Sequence, residues 1–411
     1  QWPENAPVER IYLDVKEEEK ICPITNKPLV KIGEELTSKL AYRSGSFYIK
    51  QYVRVKYAYP KETDQGILTP ELPDALLPKS PVDESFLAEL CVRKYSDHLP
   101  CYRLSEIYSR DSLKISRQQI SKWIMESGQA LKPLYDLMVK KSKEGDIGYV
   151  DESPVALLGK KKGKAHQAYM WLWRGGPNLA SPYCVYHFRT SREHFHANEL
   201  LKGFLGFVHS DKYEAYENLA KKGLFKWCPC WSHIRRYFFE AETAKEMKDW
   251  FLRKIRYLFM LERVAWARSP EERLRIRLEK EVPIIDEMLG VAQKRIESGK
   301  DLPKSKMRKA LGYFIGLKPY LKNYTKHPFA RLDNNPAERQ ARPLAIGRKN
   351  WMFLGSEAGG QASAILFSLI QTCRSMQLNA REYLEDVMRR INSHPFNRLS
   401  ELLPDQWKKS V

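Results

Sequence analysis

The chain has 411 residues, which is enough for two to four domains at roughly 150 residues each. It carries 70 Lys and Arg against 50 Asp and Glu, a net charge of +20, and 43% of its residues are hydrophobic. This composition excludes a disordered chain, and the lack of an apolar run of about 18–20 residues argues against a membrane span. The seven scattered Cys favour reduced thiols over a disulfide framework. The basic excess is typical of a protein that binds a polyanion, most often nucleic acid.

The first part of the chain is predicted to hold a small β module, a linker and a helical region. Residues 46–60 alternate aromatic or β-branched residues with basic ones, which favours a strand or hairpin. Pro residues then cluster before a helical pattern begins near residue 84. Residues 104–125 predict two helices with a short break, and Ser116 is the predicted N-cap of the second, with Gln119 at capping-box spacing.

The pattern changes to short strands after residue 144. Strands are predicted at 147–150, 168–173, 183–188 and 206–209, with a helix at 192–205. Asp151 closes the first of these strands, and Asp211 lies at the end of the fourth. This β-β-β-α-β order predicts a mixed α/β core, which is followed by a long, charged and helical stretch.

Three acids stand out by their positions: Asp151, Asp211 and Glu338. Glu338 lies in the first turn of a predicted helix for which Asn335 is the expected N-cap and Pro336 the first residue. Phosphoryl transfer needs hard cations, and carboxylates from separate segments can hold two Mg²⁺ ions. Each acid alone could instead be a turn or capping residue, so the set in this strand order carries the prediction.

Cys230 and His233 have C-x-x-H spacing, and Cys228 lies nearby. Zinc accepts such ligands, but a tetrahedral site needs four of them, which is more than this segment offers. We therefore favour a structural role in the core over metal binding. His233, together with Arg235 and Arg236, could also reach DNA.

Several motifs together resemble the transposase of the insertion-sequence-66 family. The strongest is LDNNPAERQARPLAIGRKNWMFLGSEAGGQASAILFSLIQTC at residues 332–373. KYSDHLPCYRLSEIYSRD at 94–111, CWSHIRRYF at 230–238 and HPFNRLSELLP at 394–404 occur in the same order as in that family. The resemblance covers most of the chain.

The resemblance implies a DDE transposase with an RNase H-like core, in which Asp151, Asp211 and Glu338 are the first, second and third acids. It implies two Mg²⁺ ions, for which Mn²⁺ can substitute, hydrolysis at the element's ends and attack of the freed 3′-hydroxyl on target DNA. The expected partners are double-stranded DNA, as terminal inverted repeats and as target, and further copies of this chain, at least as a dimer. We expect no membrane partner, and we place the protein in the bacterial cytoplasm at the nucleoid. Glu152 and Asp333 are neighbouring acids that we rank below these three as ligands.

The expected architecture is multidomain α/β, with an RNase H-like mixed-sheet core interrupted by a long helical insertion. The predicted segments are a degenerate zinc-finger-like module at 1–62, a linker at 63–82, a helix-turn-helix-like DNA-binding region at 83–143, the first part of the core at 144–235, the helical insertion at 236–329, the second part of the core at 330–375 and a helical C-terminal segment at 376–411.

This chain departs from the family's pattern in the N-terminal zinc module. The family uses two CxxC pairs, but here Thr25 stands where the partner of Cys22 would be, and residues 57–60 contain no Cys. We therefore expect no zinc in this module.

Basic residues around these motifs are the predicted DNA contacts. Each group of predicted DNA contacts has an alternative explanation. The helix pair at 104–125 could be an ordinary structural feature, and the basic residues near 160–164 could serve only solubility. The basic residues around Glu338 could form a solvated face in which Glu338 pairs with Arg342 within its helix. The charge and the family resemblance favour DNA contact in each case. The predicted residues are Arg117, Gln118, Gln119, Lys122, Lys161, Lys162, His233, Arg235, Arg236, Arg339, Arg342, Arg348 and Lys349.

Two other functions stay open. A decayed or domesticated transposase would bind DNA without cutting it, and the loss of the zinc ligands is consistent with that alternative. An RNase H-like nuclease would share the metal chemistry, but that function does not explain the basic helical region or the long helical insertion.

Overall fold

The computed structural model describes residues 47, 57–58, 67–68, 74–78, 80–159, 164–242 and 244–409. The chain divides into two compact units, Gln1–Glu71 and Leu72–Val411. In the first unit, strands β1 (Tyr57–Ala58) and β2 (Ile67–Leu68) pair antiparallel. The rest of the predicted zinc-finger-like module, with Cys22 and Thr25, lies outside the described residues, as do Lys161 and Lys162.

The second unit begins with four helices: α1 (Glu84–Tyr95), α2 (Cys101–Arg110), α3 (Arg117–Ala130) and α4 (Lys132–Lys141). The predicted cap of α3 is confirmed, because the Ser116 hydroxyl accepts a hydrogen bond from the backbone N–H of Gln119 at 3.2 Å. This bond satisfies a donor that has no partner within the helix.

A mixed sheet forms the centre of the second unit. Its strands are β3 (Ile147–Leu158), β4 (Ala165–Gly175), β5 (Tyr183–Arg189), β6 (Phe207–Ser210), β7 (Lys226–Pro229) and β8 (Phe353–Leu354). The spatial order is β5-β4-β3-β6-β7, and β8 pairs with the far end of β3. The first three strands are antiparallel, whereas β6 and β8 run parallel to β3, and β7 runs parallel to β6. The predicted α/β class and mixed sheet are therefore correct.

The helices that follow the first sheet strands are α5 (His194–Leu201), α6 (Glu214–Lys221), α7 (Trp231–Phe239), α8 (Lys245–Trp266), α9 (Pro270–Ile276), α10 (Val282–Glu297), α11 (Lys306–Gly316), α12 (Asn335–Trp351), α13 (Glu357–Ser375) and α14 (Ala380–Arg390). A π-helix at Arg277–Glu281 joins α9 to α10, and 3₁₀ turns lie at Asn323–Lys326 and Phe396–Leu402.

Strand β3 is longer than the predicted strand at 147–150, so the prediction that the strand closes at Asp151 is wrong. The antiparallel ladder with β4 runs from Tyr149 to Leu158 and carries the strand eight residues past Val150. On the other side, β6 pairs only with Ile147–Tyr149, and β8 pairs only with Ala156–Leu157. Between these two short pairings, residues 150–155 of β3 have no neighbouring strand on this side among the described residues, and we call this segment the notch.

Helix α13 covers the outer edge of β5. The Ser368 hydroxyl accepts from the backbone N–H of Tyr186 at 2.8 Å, and the Thr372 hydroxyl accepts from the N–H of Cys184 at 3.0 Å. These side chains take the place of a neighbouring strand, because unpaired buried N–H groups are costly.

A buried ion pair organises the helices between β7 and α12. The Arg277 side chain is fully buried and donates two hydrogen bonds to Glu262, at 2.6 and 2.8 Å. It also donates to the carbonyls of His327 and Ala330, at 2.7 and 2.8 Å. Tyr324 adds a hydrogen bond from its hydroxyl to Glu281 at 2.7 Å. Arg277 thereby fixes the segment that leads from α11 into α12.

Candidate active site

The notch in β3 places Asp151 on an open strand edge. Successive side chains of a strand point to opposite faces, and Asp151 lies in register with Leu172 and Tyr186 on the face covered by α12 and α13. Its neighbour Glu152 faces the other way. The predicted first acid is therefore half-buried on the central strand rather than at a strand end.

Asp211 follows directly after β6, as predicted. Because β6 ends at Ser210 while β3 continues, Asp211 lies beside the open edge of β3. Burial raises the pKa of the Asp211 carboxyl, the positive charge of Arg192 lowers it, and the negative charge of Glu338 raises it further. The two acids from β3 and β6 therefore share one electrostatic environment.

Glu338 lies in the first turn of α12, as predicted, but the cap of that helix differs. The helix begins at Asn335, so Asn334 rather than Asn335 is the cap residue. The Asn334 side chain does not cap the helix, because its Nδ2 donates to the carbonyl oxygen of Val150 at 2.8 Å. Its backbone N–H donates to the Cys230 sulfur at 3.2 Å. These two bonds fix the start of α12 against β3 and α7. The contact with β3 is at Val150, one residue before Asp151.

His209 strengthens the same junction from the side of β6. Its Nε2 accepts from the backbone N–H of Arg331 at 2.9 Å, and its Nδ1 lies 3.3 Å from the carbonyl oxygen of Gly148. Burial lowers the pKa of the His209 imidazole to about 3, so it is neutral and suited to these two bonds. The ring also stacks on Tyr149 at 4.5 Å. One side chain thus connects β3, β6 and the segment before α12.

The carboxylates of this cluster repel one another. Burial raises the pKa of Asp151 to about 7, and the negative charges of Glu152, Asp211 and Glu338 contribute to the rise. A buried group of acids that is not matched by an equal number of cations is stabilised by protons or by metal ions. Oxygen ligands of this type suit Mg²⁺, so the donor set fits the metal that the sequence predicts.

Glu152 has partners of its own. Its carboxylate accepts from Arg192 at two nitrogen atoms and from the Tyr216 hydroxyl at 2.9 Å. Arg192 also stacks on the ring of Tyr213 at 4.2 Å. Glu152, which was ranked below the three acids as a ligand, is thus already bonded to protein groups; whether it binds a metal stays a prediction. Arg192 and Tyr216 were not predicted from the sequence, since their contacts join residues that are far apart in the chain.

A tighter cluster joins Glu338 to the C-x-x-H motif. We looked for three His, Cys, Asp or Glu side chains whose possible ligand atoms all lie within 4.8 Å of one another. In the part of the chain that the structure describes, the only such group is Cys230, His233 and Glu338. The three predicted catalytic acids influence one another electrostatically, but their oxygen atoms do not meet this criterion.

The predicted recognition helix α3 presents its polar residues to solvent. Arg117, Gln118 and Lys122 are exposed and Gln119 is half-buried. The opposite face of α3 is apolar and packs against α13, and the two helices approach closely at Gly128. The orientation is compatible with DNA contact, which stays a prediction.

The basic residues near Glu338 differ in their surroundings. Arg348 donates to the Ser153 hydroxyl at 3.0 Å and to the Pro154 carbonyl at 2.6 Å, so it holds the end of α12 on the notch. The other predicted DNA contacts in the two flanking helices are exposed, apart from the half-buried His233: Arg235, Arg236, Arg339, Arg342 and Lys349. The nearest contact of Glu338 is with His233 rather than with Arg342: Glu338 Oε1 lies 3.8 Å from His233 Nδ1, and burial lowers the pKa of that imidazole, which favours its neutral form.

The geometry defines a mixed α/β protein with a group of carboxylates at the open edge of its central strand. The chain belongs to the IS66 transposase family: the model of the family described as "Transposase IS66 family" matches residues 79–362, and that of the "IS66 C-terminal element" matches residues 368–404. The resemblance seen in the sequence is thereby confirmed. None of the described helices is long and apolar enough to cross a membrane.

Curated relatives are similar over almost the whole chain. The uncharacterized protein y4qI of Sinorhizobium fredii is 29% identical over 98% of this chain and 76% of that protein. The uncharacterized proteins y4hP and y4jD of the same organism are each 27% identical, over 100% and 99% of this chain and 77% and 81% of their own lengths.

Proposed function

We propose that this chain is a DDE transposase that binds the ends of its insertion sequence, cuts them and joins the freed 3′-hydroxyl to target DNA. The observation that supports the proposal is electrostatic: the negative charges of Asp211 and Glu338 help to raise the pKa of Asp151, which lies in the notch, and the charge of Glu338 also raises that of Asp211. Family membership makes transposition the expected chemistry. The mixed strand order supports an RNase H-like core, and we propose the segment boundaries predicted above as its domain organisation.

The three carboxylates would hold two Mg²⁺ ions, with Mn²⁺ as a substitute, and these ions would activate the attacking oxygen and stabilise the leaving one. The protein's own contribution is to position the ligands. Asn334 and His209 fix the start of α12 against β3 and β6, which sets the position of Glu338 relative to the two aspartates. Exposed Arg339, Arg342 and Lys349 would hold phosphates beside these acids.

The recognition of the DNA ends is proposed to involve α3. Its exposed Arg and Gln side chains can read base edges, and its Lys can contact phosphate. We further propose that at least two copies act together on paired ends. Binding through many Lys and Arg contacts should weaken steeply as the salt concentration rises.

The test is a cleavage assay with double-stranded DNA that carries the element's terminal inverted repeats. We expect Mg²⁺-dependent nicks with 3′-hydroxyl ends and joined products. Asp151→Asn should abolish both, whereas the matched exposed control Asp136→Asn should keep them. Binding without cleavage in Mg²⁺ and in Mn²⁺ would mean a non-catalytic DNA-binding protein, and cleavage of generic RNA–DNA hybrids would mean a nuclease.

A further inference from the structure

The cluster of Cys230, His233 and Glu338 has the geometry of a metal site with mixed ligands. Cys230 precedes α7, His233 lies in its first turn, and Glu338 lies in the first turn of α12. The Asn334 N–H donates to the Cys230 sulfur, and the Trp231 N–H donates to the Leu332 carbonyl at 3.1 Å. Because backbone contacts join the two helix starts, the three side chains are held together by the fold.

The contact between His233 and Glu338 is unsatisfied. The buried Nδ1 of His233 has no hydrogen-bond partner, and it lies 3.8 Å from Glu338 Oε1, which is too long for a hydrogen bond. Buried polar atoms without partners are rare in folded proteins. A cation between the nitrogen and the carboxylate oxygen would satisfy both atoms.

The ligand types identify the cation. Mg²⁺ prefers oxygen ligands, whereas a thiolate, an imidazole and a carboxylate together suit Zn²⁺. Three protein ligands and one water are the usual arrangement of an open zinc site. Cys230 is fully buried, while the side chain of Glu338 is 37% exposed, so the fourth position would open towards solvent on the side of Glu338.

We infer that Cys230, His233 and Glu338 bind Zn²⁺, and that this site shares Glu338 with the Mg²⁺ cluster. On binding, the Cys230 thiol loses its proton to the buffer and forms the sulfur–zinc bond, while the Asn334 N–H still donates to the sulfur. When Zn²⁺ binds Glu338, this carboxylate is no longer available to hold Mg²⁺ together with Asp151 and Asp211. Zn²⁺ therefore inhibits the Mg²⁺-dependent reaction, a consequence that rests on the proposed function.

The binding test uses the full chain with Co²⁺ as a spectroscopic probe and Zn²⁺ as the competitor. We expect a thiolate-to-cobalt charge-transfer band that saturates at one equivalent and disappears when Zn²⁺ is added. Cys230→Ser should lose the band and bind Zn²⁺ at least about 100-fold more weakly, since even indirect partners of a metal alter affinity by 10–100-fold. Cys228→Ser is the matched control, because Cys228 is also buried and lies two residues away; it should keep the band.

A second variant, His233→Ala, keeps the test decisive if Cys230→Ser fails to fold. It should weaken Zn²⁺ binding by a similar factor. A band that is absent in the wild type, or that persists in Cys230→Ser, overturns the inference.

The inhibition test measures the ratio of cleavage rates with and without equimolar Zn²⁺ in each variant. Wild type and Cys228→Ser should be inhibited, and Cys230→Ser should be resistant. Cleavage without any cobalt band would overturn the zinc site and leave the proposed function standing. A cobalt band in a protein that never cleaves DNA would support the zinc site and count against the proposed function.

Discussion

The carboxylates of Asp151 and Asp211 at the notch and the network around Arg277 both place charged groups inside the second unit, but of these groups only Arg277 and Glu262 are paired directly with an opposite charge. Arg277 is bonded to Glu262 and to backbone carbonyls, so each of its donors has a partner. Asp151 and Asp211 lie among other acids, and the nearby Arg192 is bonded to Glu152. Burial of charge alone therefore does not indicate function. A group of several buried carboxylates without paired cations is a stronger indication of function, because it is stabilised by protons or by bound metal ions.

The largest effect is expected at the notch. Asp151→Asn should lower the cleavage rate by at least about 1,000-fold, since metal coordination supplies several kcal/mol of transition-state stabilisation. The same change removes one negative charge from the cluster, so the free energy of unfolding in EDTA at pH 8 should rise. Rate assays and urea denaturation measure the two effects. An Asp151→Asn variant that is both active and less stable would show that Asp151 has a structural role, like Arg277, and no catalytic one.

In the network the same kind of change should act on stability instead. Arg277→Ala should lower the free energy of unfolding by about 3–5 kcal/mol, because it leaves Glu262 buried without its partner. The exposed pair between Lys254 and Glu287 is the matched control, and Lys254→Ala should cost at most about 1 kcal/mol. Urea denaturation of the two variants decides the point, and equal losses would show that the buried pair has no special weight.

A change at the junction between the two regions should be intermediate. Asn334→Ala removes the hydrogen bond to Val150 that fixes the start of α12. We expect a loss of about 10–100-fold in the cleavage rate, as for other groups that orient metal ligands. The backbone N–H of residue 334 still donates to the Cys230 sulfur, so the protein should stay folded, which circular dichroism can verify. An unchanged rate would mean that α12 is positioned by other contacts.

The last effect is a dependence of stability on pH that arises in the network. Burial raises the pKa of Glu281 from its ordinary value of 4.5 to about 8, and the charge of Glu262 contributes. Between these values the folded chain keeps a proton that the unfolded chain has lost, so the free energy of unfolding falls as pH rises. Glu281→Gln should flatten this part of the profile relative to the wild type. Denaturation midpoints across the range measure it, and identical slopes would refute the assignment.

Local features of the fold were predictable from the sequence, and features that depend on distant partners were not. The Ser116 cap and the strands at 168–173 and 183–188 follow from residues within one turn or one strand, and the structure confirms them. The end of β3 was predicted wrongly, because its second half is set by the ladder with β4. The Asn334 side chain, which lies 184 residues from its partner, gave no local signal.

The residues of the candidate site could be proposed from the sequence, but their arrangement could not. Asp151, Asp211 and Glu338 were chosen from their positions and the family resemblance. The sequence could not show that His233 lies beside Glu338, nor that Arg348 braces α12 on β3 whereas Arg339 is exposed. Such distinctions depend on which basic side chains have structural partners, and those partners come from other segments.

The hydroxyls of Ser368 and Thr372 on the outer edge of β5 have a consequence for crowding on DNA. Copies of a strongly basic chain that gather on one DNA molecule reach a high local concentration, at which an open sheet edge would invite strand exchange and fibre-like aggregation. At this edge the N–H groups of Cys184 and Tyr186 already have their acceptors, so a neighbouring copy finds no vacant ladder there. Pairing between copies through this edge is therefore disfavoured.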